Sequence, residues 1–190
     1  MWWESTVSKI LIDEPTLRAK VAELGIRISE DYRALGTPPL LVGVLKGALP
    51  FIVELSQTID LPVEMDFMAI SSYGAATQSS GVVRILKDLE ISIEGRHVLV
   101  VEDIIDSGLT LTYILENLRN RNPTSLKVCS LLNKPSRRRV HVPVDYAGFD
   151  IPDEFVVGYG LDYRQVYRNL PFIGVLRREV YEPPGETAGR

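Results

Sequence analysis

Hydrophobic positions along the chain alternate between helical spacing and short apolar runs. Leu17, Val21, Leu24, Ile28 and Leu35 recur at steps of three, four or seven, the spacing of one helical face, and predict a helix over residues 14–35. Gly36-Thr-Pro-Pro39 supplies its stop. Leu40–Leu45 is an apolar run between turn signals, the pattern of a strand buried on both faces. Helical spacing returns over 48–59, with Pro50 in the first turn, where its missing N–H has no intrahelical partner to lose. Val63, Met65 and Phe67 alternate with Glu64, Asp66 and Met68, which is the period of a strand. Residues 71–81 are small and polar and read as a loop, with 82–86 as a strand returning from it. Val98–Val101 is a second buried run, followed by a helix carrying Leu111, Ile114, Leu115 and Leu118, and then by a strand over Leu126–Leu132.

Strands alternating with helices predict an α/β fold, a mostly parallel sheet flanked by helices on both faces. After Asn133 the pattern changes to Pro-rich turns with short strands at Phe155–Tyr159 and Ile173–Leu176, which predicts a small C-terminal lobe over 133–176. No linker or internal repeat divides the chain between Val7 and Val180, so residues 1–182 read as one domain, with 183–190 as a flexible tail of turn and polar composition. The 190 residues are 45% hydrophobic and 24% charged, within the range of globular proteins, and carry a net charge of −4. That balance argues against nucleic acid or an anionic membrane as a partner. A single cysteine excludes an intrachain disulfide and a Cys-rich zinc site. The start, Met1-Trp2-Trp3-Glu4-Ser5, lacks the basic and apolar regions of a signal peptide, and no apolar run approaches the ~20 residues of a membrane span. The expected compartment is the cytoplasm.

The most informative stretch is Val98-Leu-Val-Val-Glu-Asp-Ile-Ile-Asp-Ser-Gly-Leu-Thr110. A buried strand ends in two adjacent carboxylates, Glu102 and Asp103, and Asp106, Ser107, Gly108 and Thr110 follow just ahead of a helix. In a doubly wound sheet, ligands bind beyond the carboxyl ends of the strands. A small Gly-containing turn there lets backbone N–H groups approach a phosphate, and the helix adds its N-terminal partial positive charge. The acids suit ribose hydroxyls, or Mg²⁺ through water. Taken alone, Ser107 reads more simply as an N-cap. Taken together, three acids in one turn would repel each other without a ligand.

This string resembles the phosphoribosyl-pyrophosphate (PRPP) motif of the type I phosphoribosyltransferases. Four further segments resemble those of the 6-oxopurine, hypoxanthine-guanine branch in its bacterial form, in the same order, over roughly Val7 to Tyr181. Leu45-Lys46-Gly47 resembles the pyrophosphate loop, in which the Leu–Lys peptide bond is often cis. Ser72-Tyr73-Gly74 resembles the start of a mobile flap, and Leu131-Leu-Asn-Lys134 the strand end with a purine-recognition lysine. Asp145–Tyr163 with Arg168 resembles the hood lobe and its metal site.

The resemblance implies transfer of phosphoribosyl from PRPP to hypoxanthine or guanine, giving IMP or GMP and pyrophosphate. It implies Asp106 as the general base at purine N7. Ser107, Gly108, Leu109 and Thr110 would cradle the 5-phosphate. Glu102 and Asp103 would meet the ribose hydroxyls directly or through Mg²⁺. Lys134 would donate to purine O6, Phe155 would stack on the base, and the Val156 backbone would meet its edge. Asp162 would hold a second Mg²⁺ and Arg168 the pyrophosphate. A homo-oligomer, dimer or tetramer, is implied as well.

Plainer readings stand beside these. Arg137-Arg-Arg139 reads as a solvated face, with subunit contact as the alternative, and Cys129 as a small buried hydrophobe. His97 and His141 are isolated and read as surface or structural. A PRPP-sensing regulator on the same fold is the competing function class, opposed by the net charge and by the joint presence of Asp106, Lys134, Asp162 and Arg168. A xanthine- or adenine-preferring transferase is the nearer alternative.

Overall fold

The structure is a computed structural model that describes residues 1–72 and 83–182. The expected flap, with Tyr73, falls outside the described residues except for its first positions.

Helix α1 (Glu14–Leu35) begins where Asp13 Oδ1 accepts the Thr16 N–H at 2.9 Å, with Pro15 in its first turn, and ends on Gly36 at φ +70°. Its buried stripe is Leu17, Val21, Leu24, Ile28 and Tyr32; Leu35, in the last turn, is exposed. Gly25 lies on the same stripe because a Cβ there would come within 2.0 Å of Thr58 Oγ1 on helix α2 (Leu49–Thr58).

The main sheet has six strands in the order β4-β3-β2-β5-β6-β7: β2 (Leu40–Leu45), β3 (Glu64–Ser72), β4 (Val83–Lys87), β5 (His97–Ile105), β6 (Ser125–Asn133) and β7 (Tyr146–Asp150). All neighbours are parallel except β4, which runs antiparallel to β3 at one edge. Period-two alternation sends Leu41, Leu99, Val101, Cys129 and Leu131 to the face covered by α1 and α2. Leu40, Val42, Val98, Val100 and Val128 go to the face covered by helix α3 (Leu109–Arg119). The apolar runs in the sequence arise because both faces are covered. Asp66 is the polar member of the β3 alternation that is buried. Its carboxylate accepts the backbone N–H of Phe67, Glu90 and Ile91 at 2.7–2.9 Å. Burial alone would raise its pKa, but these donors and Lys87 bring it below the ordinary value.

A second, three-stranded antiparallel sheet joins both ends of the chain, in the order β1 (Val7–Ile12), β9 (Ile173–Leu176), β8 (Val156–Val157). Strand β8 is shorter than the expected Phe155–Tyr159 because Gly158, Tyr159 and Gly160 all take positive φ and leave the extended region. Strands β1 and β7 went unpredicted. In β1 only the end residues Val7 and Ile12 are buried, so no alternation marks it. Strand β5 runs four residues past its apolar segment and carries Glu102 and Asp103 into the sheet's carboxyl edge.

Candidate active site

Strands β2, β5 and β6 run parallel, so their carboxyl ends lie along one edge of the sheet. Glu102 and Asp103 lie near the carboxyl end of β5, followed only by Ile104 and Ile105. Burial, then repulsion from Asp103, pushes the Glu102 carboxyl well above its usual range, and burial pushes Asp103 up to about 6. Among the described residues neither carboxylate has a basic group within salt-bridge distance, although Arg168 lowers Asp103 from further away. Gly47, in the loop after β2, packs directly on Asp103: a Cβ there would lie 1.6 Å from Oδ2. The Leu45–Lys46 peptide bond in that loop is cis.

The turn Asp106–Thr110 leads into α3. Gly108 is its N-cap at φ +84°, and no side chain caps the helix. Ser107 is a poor cap, since its Oγ lies 3.4 Å from the Leu109 nitrogen. The first backbone donors of α3 are therefore available to an anion. The turn is braced from behind: Ser107 O accepts from Arg139 N (3.0 Å) and Val140 N (3.3 Å), and Gly108 backs onto Val140 and Val142. Glu102, Asp106, Ser107, Gly108 and Thr110 line a cavity of about 180 Å³ here, and Leu109 points outward.

A second cavity, of about 420 Å³, shares Ile104 and Asp106 with the first and continues to Lys134, Arg137, Phe155, Val156, Leu161 and Tyr181. Lys134 follows the end of β6. It is buried, and its Nζ donates to the Glu154 carbonyl at 2.7 Å. Phe155 stacks on Tyr181 with ring centroids 4.8 Å apart and meets Tyr163 edge-on at 5.7 Å.

Two residues of this cavity escaped the sequence reading. Arg137 is exposed, as a solvated face implies, but it also bonds into the cavity: its Nε donates to Asp106 Oδ1 at 3.2 Å, and its Nη1 lies 3.7 Å from Asp153. The signal was present in Lys134-Pro135. A proline there starts a 3₁₀ turn, Pro135–Arg137, in which positions three apart eclipse, so Arg137 returns beside Lys134. Arg138 also bonds inward, to Asn133 Oδ1, and Arg139 remains exposed. Tyr181, in the short terminal helix α4 (Arg178–Tyr181), carried no sequence signal because its partner Phe155 is distant along the chain.

The loop after β8 brings Asp162 and Arg168 against Lys46. Arg168 Nη2 lies 2.7 Å from Asp162 Oδ1, and its Nη1 donates to Gly160 O at 2.6 Å. Arg168 Nε is buried with no hydrogen-bond partner among the described residues, as fits a donor meant for an anionic ligand. Gly160 rests on the other loop, since a Cβ there would come 2.0 Å from Gly47 O. Ser72 closes β3 at the same edge of the sheet.

The donor set suits a hard divalent cation. Glu102, Asp103 and Asp162 offer oxygen alone, and the repulsion between buried Glu102 and its partly buried neighbour Asp103 would be relieved by a metal charge. Among the described residues, no cluster of three metal-ligating side chains forms without a ligand, so phosphate oxygens would complete either shell.

The phosphoribosyl transferase domain profile matches residues 8–164. The hypoxanthine-guanine phosphoribosyltransferase of Bacillus subtilis is 54% identical over 176 residues, covering 93% of this chain and 97% of its own. That of Mycobacterium avium is 52% identical over 180 residues, covering 93% and 89%. The crystal structure of a Staphylococcus aureus hypoxanthine phosphoribosyltransferase superposes with a TM-score of 0.90 at 45% identity, covering 95% of this chain and 97% of its own.

Proposed function

The chain belongs to the phosphoribosyltransferase family, and from that premise we propose that its two joined cavities transfer phosphoribosyl from PRPP to hypoxanthine or guanine, as an enzyme of purine salvage. The observation that carries this reading is the position of Asp106. It lines both cavities, and the buried Lys134 ammonium stands on the wall of the larger one. A carboxylate acceptor and a cationic donor on one wall match the N7 proton and O6 acceptor of a 6-oxopurine, and the smaller cavity has the backbone donors for a 5-phosphate.

In the reaction, the bond from ribose C1 to pyrophosphate breaks with oxocarbenium character and a purine nitrogen bonds to C1. Asp106 accepts the proton the purine must lose. Lys134 offsets the negative charge that gathers on O6 as this happens. The N-terminal amides of α3, with Ser107 and Thr110, fix the 5-phosphate, while Glu102 and Asp103 orient the ribose. Phe155 holds the purine plane and the Val156 backbone its edge. Lys46 and Arg168 take the charge of the departing diphosphate. When bound, Mg²⁺ supplies further neutralisation of that charge, held by Asp162 and by the Glu102–Asp103 pair. Assembly as a homo-oligomer, dimer or tetramer, is proposed on the family resemblance alone. We place the enzyme in the cytoplasm.

Mixing the protein with PRPP, Mg²⁺ and each of hypoxanthine, guanine, xanthine and adenine tests the reading. Pyrophosphate release is expected with the first two and negligible with adenine, and it should stop with a chelator and return with Mg²⁺. Release without a purine, undiminished activity in chelator, or adenine turnover within tenfold of hypoxanthine would overturn it.

A further inference from the structure

Between Lys46 and Arg168 lies a side chain that neither the motifs nor the proposed chemistry uses. The Gln165 carbonyl oxygen accepts from Lys46 Nζ at 3.1 Å and from Arg168 Nη2 at 3.3 Å. Its backbone N–H donates to Asp162 Oδ2 at 2.8 Å. Gln165 thus touches the three side chains of the diphosphate end of the site, one of them on a different loop. The backbone is shaped to put it there. Arg164, Gln165 and Tyr167 have φ of +50°, +66° and +78°, a region side-chain-bearing residues rarely occupy without being held. The paired N–H···O bonds between Tyr163 and Val166 (3.0 and 3.2 Å) close the turn, and the Trp2 ring packs on Tyr167 at 5.5 Å.

We propose that Gln165 is a further residue of the diphosphate subsite, an internal competitor whose amide oxygen takes the two cationic donors that PRPP and pyrophosphate also need. The proposal rests on the assignment of Lys46 and Arg168 to that subsite. An amide oxygen holds a cation only through a partial charge, so a diphosphate displaces it readily; a carboxylate at the same place would form two ion pairs. A neutral competitor keeps the cations aligned without forfeiting them and weakens the hold on the leaving product. Gln165 therefore sets diphosphate affinity and leaves purine affinity alone.

The test compares Gln165→Glu and Gln165→Ala with the parent. The side chain is exposed, so neither change disturbs the core. Trp2 and Trp3 are the two tryptophans of the chain, and they pack on Tyr167 and Phe172 respectively, so the intrinsic fluorescence of the native protein reports on this loop. Pyrophosphate is titrated by fluorescence and as an inhibitor of the forward reaction, and KM is measured for PRPP and for hypoxanthine. Gln165→Glu is expected to weaken pyrophosphate and raise the PRPP KM by about fivefold, the upper range for an exposed ion pair, with the effect shrinking at high salt. Gln165→Ala should tighten pyrophosphate two- to fivefold, on the order of one exposed charged hydrogen bond. The hypoxanthine KM should stay unchanged in both. Equal pyrophosphate affinity in the parent and the Glu variant, weaker binding in the Ala variant, or parallel movement of both KM values would overturn the proposal. A parent protein that makes no nucleotide from PRPP and hypoxanthine would instead overturn the reading on which it rests.

Discussion

The turn after β5 and the loop after β8 prepare for charge in opposite ways. The first follows directly on a central strand of the sheet. A single positive-φ residue, Gly108, turns the chain, Val140 and Val142 close its back, and its donors are backbone amides that need no side-chain rearrangement. The two acids that β5 carries up to it, buried Glu102 and partly buried Asp103, have no basic side chain paired with them among the described residues. The second is held by its own side chains. Tyr159, Arg164, Gln165 and Tyr167 all take positive φ without being glycine, and the cations Lys46 and Arg168 are already bonded to Gln165 and Asp162. One region is preorganised and costs little to use; the other must exchange internal bonds for ligand bonds. Changes in the first should therefore appear in turnover, and changes in the second in the handling of diphosphate.

The largest expected effect lies where the β5 turn meets the base cavity. Asp106→Asn keeps the shape and removes the proton acceptor, and general-base catalysis contributes about 10²–10⁴-fold. The hypoxanthine kcat should fall by that order, with the PRPP KM within about threefold because backbone amides hold the phosphate. If kcat survives and the PRPP KM rises instead, the division between the two regions is wrong. Next comes Lys134→Ala, which removes a buried ammonium whose hydrogen bonds are charge-assisted. Losing one such bond costs roughly 3 kcal/mol, or about 10²-fold in kcat/KM for hypoxanthine and guanine. Adenine should remain a negligible substrate in this variant because no acceptor replaces the amine, and an initial-rate comparison of the three bases checks it.

The loop after β8 reaches the β5 acids through the loop after β2, since Gly160 rests on Gly47 and Gly47 packs on Asp103, so a change at Gly160 sharpens the comparison. A Cβ would press on Gly47 O at 2.0 Å and Pro50 Cδ at 2.9 Å, at a φ of +100° that a side chain does not favour. Gly160→Ala should cost about 3 kcal/mol, from strain plus overpacking. For a chain of this size that is a Tm lower by roughly 6–12 °C in a thermal melt. The surviving folded enzyme should show a raised PRPP KM and a hypoxanthine KM close to the parent's. A melt unchanged from the parent would mean that the loops do not bear on each other as described.

The same contrast explains what was legible in the sequence. The core strands and helices announce themselves because both sheet faces are covered, which leaves unbroken apolar runs at Leu40–Leu45 and Val98–Val101 and a periodic stripe in α1. Glu102 to Thr110 is contiguous, so its spacing alone places acids, turn and helix start together. The hood is assembled from distant pieces. Strand β1 pairs with β9 across almost the whole chain, with burial only at its ends, so local pattern cannot show it. Arg137 lay within a basic run, and charge alone gave no reason to turn it inward. Gln165 has no chemistry of its own until Lys46, far away in sequence, is brought to it.

The smallest effect is expected at Arg137, and it tests whether the base cavity behaves like the preorganised turn or like the bonded loop. Its Nε sits 3.2 Å from Asp106 Oδ1, and the contact with Asp106 raises its own pKa, so the pair is formed in the protein as it stands. About half of each side chain remains exposed (53% for Arg137 and 45% for Asp106), and exposed pairs contribute little. A purine that presents N7–H to Asp106 needs the same carboxylate, but a carboxylate has acceptor sites for both partners. Arg137 should thus orient Asp106 without blocking it. Arg137→Gln should shift the hypoxanthine KM by about threefold, lower kcat by less than about fivefold, and leave the PRPP KM alone, all measured in one set of initial-rate experiments. A loss on the order of 10²-fold in kcat would mean that Asp106 depends on a side-chain bond for its catalytic position, and the base cavity would then belong with the loop after β8 rather than with the turn after β5.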